Sequence, residues 1–178
     1  AASDVYKRQT NMWQADEMVD ATYSFIPSPY LASGSYTIIA DTVSNNQVHS
    51  VSLGQINFIA QPRIYAYISS AKLLADWENE IGLADFDLVQ ETPTKIQLKV
   101  KWSTRQQMEQ SYKLFVHLVD NETKKIVGQV DTVPRNWGYP TNWWDQNELV
   151  SDTLTIALAN ELDETKTYSL WIGFYNPD

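Results

Sequence analysis

The side chains that could do chemistry in this 178-residue sequence are few in kind. There are two histidines and no cysteine. Disulfides, thiol catalysis and cysteine-ligated zinc are therefore excluded. His117 lies between Val116 and Leu118, with no second histidine near it in sequence. Metal binding or general-base work needs partners that the sequence does not supply there. It is expected to be a sheet histidine satisfied by a neighbour, and His49, near a strand edge, the same. Carboxylates are plentiful, with Asp120, Asp131, Asp145, Glu148 and Asp152 all near expected strand ends. A glycosidase needs two of them facing each other at a controlled separation. A calcium site at a sheet rim needs several oxygens together. Most acidic residues of a chain with formal charge −9 belong to solvated faces. No pair is assigned to catalysis, and neither metal nor cofactor is expected. No Gly-x-Ser-x-Gly elbow, P-loop or dinucleotide fingerprint occurs. Asn121-Glu122-Thr123 matches the N-glycosylation tripeptide, a common pattern.

The remaining candidate is aromatic. "PRNWGYPTNWW", Pro134 to Trp144, carries three tryptophans and a tyrosine in a stretch punctuated by two prolines and a glycine. That punctuation marks a loop. Flat aromatic rings in a loop suit stacking against the apolar faces of sugar rings. They equally suit plugging the end of a sheet, which is where tryptophans usually go. Trp137, Tyr139 and Trp143 are the residues that would form a glycan platform.

The elements that must position these residues read as strands. "KIQLKVKW", Lys95 to Trp102, alternates, with Ile96, Leu98, Val100 and Trp102 on one face and Lys95, Gln97, Lys99 and Lys101 on the other. That pattern predicts a half-buried strand. "KLFVHLV" (Lys113 to Val119) is apolar on both faces and reads as central. "DNETKK" turns it into "IVGQVD" as a hairpin. "TLTIAL" (Thr153 to Leu158) alternates again, and "YSLWIGFY" (Tyr168 to Tyr175) reads as a second central strand. The only helix candidate, Ser70 to Glu80, is short. The expected fold is all-β, an antiparallel β-sandwich of jelly-roll or immunoglobulin-like type.

The sequence also repeats itself. "TNMWQADEMV" (Thr10 to Val19) matches "TNWWDQNELV" (Thr141 to Val150) without a gap at Thr, Asn, Trp, Glu and Val. Thr10, Trp13 and Glu17 thus correspond to Thr141, Trp144 and Glu148, which marks these six as a structural motif of a repeated module. Trp143 corresponds to Met12, a merely bulky residue. Further on, "SYTIIA" (Ser35 to Ala40) lies over "TYSLWI" (Thr167 to Ile172). The first copy continues through "QVHSVSLGQINFIA", Gln47 to Ala60, which reads as another strand. No such strand follows "GFYNPD". The reading is two tandem modules truncated at both ends, the back half of one at 10–60 and a second at 61–178 lacking its last strand. Residues 1–9, "AASDVYKRQ", resemble translated sequencing adapter and are expected to be foreign to the protein.

Composition closes off other classes. Hydrophobic residues make up 43% of the chain, enough for a real core. The basic residues are too few and too scattered to follow a phosphate backbone, so no nucleic-acid partner is expected. No apolar stretch approaches the roughly eighteen residues of a membrane helix, so direct insertion is not expected either.

One long string, from "FVHLVD" (Phe115 to Asp120) through "GQVD" (Gly128 to Asp131), Pro134, Pro140, Thr141, Trp144, Glu148, Val150 and Asp152 to "YSLWIGFYNP" (Tyr168 to Pro177), carries a family resemblance. It resembles the C-terminal soluble modules of bacterial dolichyl-phosphate-mannose protein mannosyltransferase-like membrane proteins, glycosyltransferase family 39. The front of the module, "IGLADFDL" (Ile81 to Leu88), resembles them more weakly. Asn147 departs from the pattern, which usually has glycine before the glutamate. In that family the transfer chemistry lies in the membrane part, so the resemblance carries over no catalytic residue. It implies a non-catalytic accessory β-sandwich region outside the cytoplasm, whose partners would be a glycan or the membrane domain of the same protein. The alternative, from the aromatic loop, is a carbohydrate-binding module of a secreted or surface protein.

Overall fold

The computed structural model describes residues 25–44 and 46–177, and the chain divides into two compact units, Ala1–Ile59 and Ala60–Asp178. Thr10, Trp13 and Glu17, like the segment 1–9, lie outside the described residues. In the first unit, strands β1 (Gly34–Ser44) and β2 (Gln47–Phe58) form an antiparallel hairpin. Ile38 pairs with Gly54 and Ile39 with Ser52, so Leu53 is the extra residue of a β-bulge. Tyr36 of β1 meets the Phe58 ring edge to face at 6.4 Å. Ile39, Val48, Val51 and Leu53 are all exposed.

The second unit contains β3 (Ile64–Tyr65), β4 (Ala75–Trp77), β5 (Ile81–Thr92), β6 (Lys95–Thr104), β7 (Lys113–Asp120), β8 (Ile126–Thr132), β9 (Glu148–Leu158) and β10 (Tyr168–Tyr175). They pair antiparallel in the order β10-β7-β8-β9-β6-β5-β4, with β3 added against the start of β9. The alternation read from the sequence is the burial pattern found. Ile96, Leu98, Val100 and Trp102 of β6 are buried, while Lys95, Lys99 and Lys101 are exposed. β9 buries every second residue from Glu148 to Leu158. β8 and β9 share only two residue pairs, Gly128–Leu158 and Gln129–Ala157, and the sheet folds over at this corner. The two ends of the path then meet. Trp77 of β4 stands edge to face against Phe174 of β10 at 5.5 Å, and Trp102 of β6 against the same ring at 5.0 Å. The sheet is nearly closed on itself, with β10, β7 and β8 on one side of the core and β9, β6 and β5 on the other.

Two expectations change. The short helix candidate over Ser70 to Glu80 is a single 3₁₀ turn, Ser70–Lys72, followed by β4. Glu78 and Asn79 take φ of 50° and 58°, which no right-handed helix accepts, and Leu73 is spent packing on Gly82. β10, expected to be central, is the terminal strand of the path: it pairs with β7 alone, and Trp171 is 58% exposed. Its second apolar row is therefore not covered by a further strand among the described residues.

Candidate functional site

The aromatic loop is built on an unusual backbone. After the buried Pro134, the residues Arg135, Asn136 and Trp137 all take positive φ, 54°, 50° and 68°. Left-handed conformations cost roughly 1–2 kcal/mol per residue for side chains with a Cβ. What holds them is a set of hydrogen bonds. The N–H of Trp137 donates to Val133 O at 2.9 Å and that of Tyr139 to Pro134 O at 3.0 Å. The Arg135 N–H donates to an oxygen of Asp152 at 2.9 Å, and its guanidinium to Ser151 O at 3.2 Å. Gly138 closes the turn, where a Cβ would stand 2.8 Å from Arg135 O.

Beyond this turn the chain dives inward. A 3₁₀ turn, Thr141–Trp143, begins with a fully buried Thr141, whose hydroxyl accepts from Tyr112 N at 2.9 Å. Trp144 is fully buried, and its indole N–H donates to Tyr139 O at 3.1 Å. Glu148, first residue of β9, is 2% exposed. Its Oε1 accepts from the Tyr139 hydroxyl at 2.8 Å, and its Oε2 accepts from Asp145 N at 3.0 Å and from Arg63 Nη2 at 2.5 Å. The same guanidinium reaches Trp143 O at 3.0 Å and, through Nη1, Asp145 Oδ2 at 2.9 Å. Tyr65 adds a hydroxyl donated to that Asp145 oxygen at 2.7 Å. Burial, and then the carboxylate it donates to, push the Tyr139 phenol well above the ordinary tyrosine value. Asn147, just before the glutamate, has φ of 63°.

The expected platform is thus split. Tyr139 is 5% exposed and its hydroxyl is committed to Glu148, so it offers no stacking face. Trp143 is partly buried against the core. Trp137 alone is half-exposed, at 49%, with Lys113 Nζ 5.2 Å from its ring centroid. Thr141, Trp144 and Glu148 are brought together as one packed motif, and the residue the sequence reading missed is Arg63. No local pattern marks it, since its partners lie 80 and 85 residues along the chain.

The carboxylates do not converge. Asp120 accepts the N–H groups of Glu122 and Thr123 at 2.8 and 3.0 Å and pairs with Lys166 at 3.0 Å. The Thr123 N–H and then Lys166 hold it down to about 2. Asp152 is raised by burial, against the pull of the Arg135 and Thr153 N–H groups. Asp131 sits on the outer face and accepts the Tyr175 hydroxyl at 2.6 Å. Asp145 and Glu148 are close, but one guanidinium bridges them and Glu148 presents no oxygen to a substrate. Among the described residues, no group of three or more metal-ligating side chains forms. His49 is exposed on β2, and His117 lies on the outer face of β7 with its ring 5.0 Å from that of Phe115.

The outer face of β10, β7 and β8 is the second region the sequence reading passed over. Trp171, His117 and Gln129 form one cross-strand row, and Gly173, Phe115 and Asp131 the next. The signal lies in the odd-numbered positions of "KLFVHLV" and "YSLWIGFY", whose apolar character on both faces fits a covered strand and an exposed aromatic row alike. Comparison with protein-family models, curated proteins and solved structures returns no match for the chain.

Proposed function

We propose that the chain is a non-catalytic accessory β-sandwich region, outside the cytoplasm, of a membrane protein resembling the family 39 glycosyltransferases. The observation that carries this reading is the fate of the shared motif. Glu148 and Trp144 are used up in a buried network with Arg63 and Tyr139, and the buried Thr141 hydroxyl in bonds with Tyr112 N and Gln110 O, as framework residues of a module are and as reacting groups are not. The departure at Asn147 fits as well. Its φ of 63° is the conformation that glycine favours and asparagine tolerates, so the turn is the same with either residue. The module's partners are then the membrane domain of the same protein or the glycan it handles. Sequencing the intact gene tests this: several apolar spans near twenty residues each support it, and a cleavable leader with no spans overturns it.

A second reading, a carbohydrate-binding module of a secreted or surface protein, is favoured by Trp137. A half-exposed tryptophan held on a run of left-handed residues is an arrangement kept at a cost, and such strain clusters at ligand clamps. Titrating neutral oligosaccharides against tryptophan fluorescence tests it; no shift at millimolar sugar rules it out.

A further inference from the structure

We propose that the solvent face of the β10-β7-β8 sheet binds a neutral, pyranose-based oligosaccharide. The proposal rests on the carbohydrate-binding reading and moves the site from the loop to the sheet.

Three aromatic side chains stand on this face in register. Trp171, 58% exposed, is level with His117 and Gln129. Phe115 is one row further on, level with Asp131, and Tyr175, 38% exposed, is level with Lys113. Lys113 hands the row on to Trp137, over whose ring its ammonium sits at 5.2 Å. The Phe115 ring lies across Gly173, where any Cβ would come within 2.7 Å of it. The missing side chain is what lets that ring lie down on the sheet rather than stand up from it. Tyr175 is fixed in turn by its bond to Asp131 and by its ring, 6.3 Å from Phe115.

The chemistry of the rows selects the ligand. Each aromatic ring offers a flat π face, suited to the C–H face of a sugar ring. Beside each lies a group for the equatorial hydroxyls: the His117 imidazole and Gln129 amide in the first row, the Asp131 carboxylate in the second, the Lys113 ammonium in the third. Strands rise about 3.4 Å per residue, so Trp171 to Tyr175 spans about 14 Å, a length for more than one sugar ring. Lys113 and Asp131 cancel locally, and the −9 charge of the chain disfavours anionic glycans, which leaves a neutral ligand. A protein partner fits less well. Protein interfaces deplete charged residues at their centre, and here Lys113 and Asp131 sit among the rings.

The test is calorimetric titration of the full chain with neutral manno-, gluco- and xylo-oligosaccharides, alongside Trp171→Ala, Trp137→Ala and Asp131→Asn. The expected result is binding that weakens about tenfold or more in Trp171→Ala, as loss of an exposed aromatic anchor does. The far-ultraviolet circular dichroism of this variant stays unchanged and its urea midpoint close to that of the parent, since Trp171 is mostly exposed and lies outside the core cluster. Binding kept in Trp171→Ala and lost in Trp137→Ala puts the site on the loop; that overturns the proposal and leaves the carbohydrate-binding reading standing. No binding to any of the sugars overturns both. A wild-type dimer in light scattering that Trp171→Ala splits makes the face a contact between copies, and also overturns the proposal.

Discussion

Tyr139 and Trp144 at one end of the sandwich, and Trp171 and Tyr175 on its outer sheet, are the same kinds of side chain in opposite circumstances. The first pair is buried, ring against ring at 6.3 Å, and its polar atoms are spent inside the protein, the indole on Tyr139 O and the phenol on Glu148. The second pair keeps its faces in water, and its one internal polar bond, Tyr175 to Asp131, ties two exposed groups together. What separates them is the supply of partners. A buried tyrosine or tryptophan usually takes an internal acceptor, here Tyr139 O within the loop and Glu148 at the start of β9. The outer sheet carries donors and acceptors beside the rings but leaves the rings uncovered. Aromatic density in a sequence thus says little until the destination of each polar atom is known.

Breaking the buried side has the largest effect. Glu148→Ala deprives Arg63, whose side chain is 14% exposed, of its best-buried partner, and loss of one member of a buried ion pair costs about 3–5 kcal/mol. The urea midpoint should fall accordingly, and Arg63→Met combined with Glu148→Leu should recover much of the loss. Tyr139→Phe keeps the ring and removes only a hydrogen bond to a carboxylate, so about 1.5–3 kcal/mol is expected by the same assay. Acid titration separates two carboxylates of opposite sign. Asp120 is held down to about 2 from an ordinary 3.8, so its contribution is present above the ordinary value and lost as pH falls through the lower one. Asp120→Asn should remove that part of the acid limb. Asp152 is raised by burial, so it costs stability at neutral pH, and the cost disappears as acid protonates it. Trp171→Ala should move stability by no more than about 0.5 kcal/mol, as surface changes do. A larger loss would mean that the outer ring is structural, and would erase the contrast.

The strands were legible because one face of each is buried. Lys95 to Trp102 and Thr153 to Leu158 declare their inner faces by alternation alone, and both faces are found as read. Apolar alternation cannot say whether an outer row is covered, which is why β10 read as central. In its outer row Trp171 and Tyr175, large aromatic residues of the kind a packed face carries, are exposed. The motif Thr141, Trp144 and Glu148 was legible through the repeat. Its purpose was not, because Arg63 and Tyr65 reach it through β3, a strand of two residues that leaves no periodicity. The helix candidate over Ser70 to Glu80 has a similar origin, since the left-handed residues Glu78 and Asn79 carry no glycine to announce them.

The strand order has a consequence for the birth of the protein. β6 lies between β5 and β9, yet β9 begins at Glu148, long after β6 ends at Thr104. At roughly 5–20 residues per second, synthesis leaves the β5–β6 hairpin waiting for seconds with one edge of β6 unpaired and its apolar row uncovered. Lys95, Lys99 and Lys101 then stand on the opposite row of that bare strand, where charge discourages a second nascent chain from pairing in β9's place.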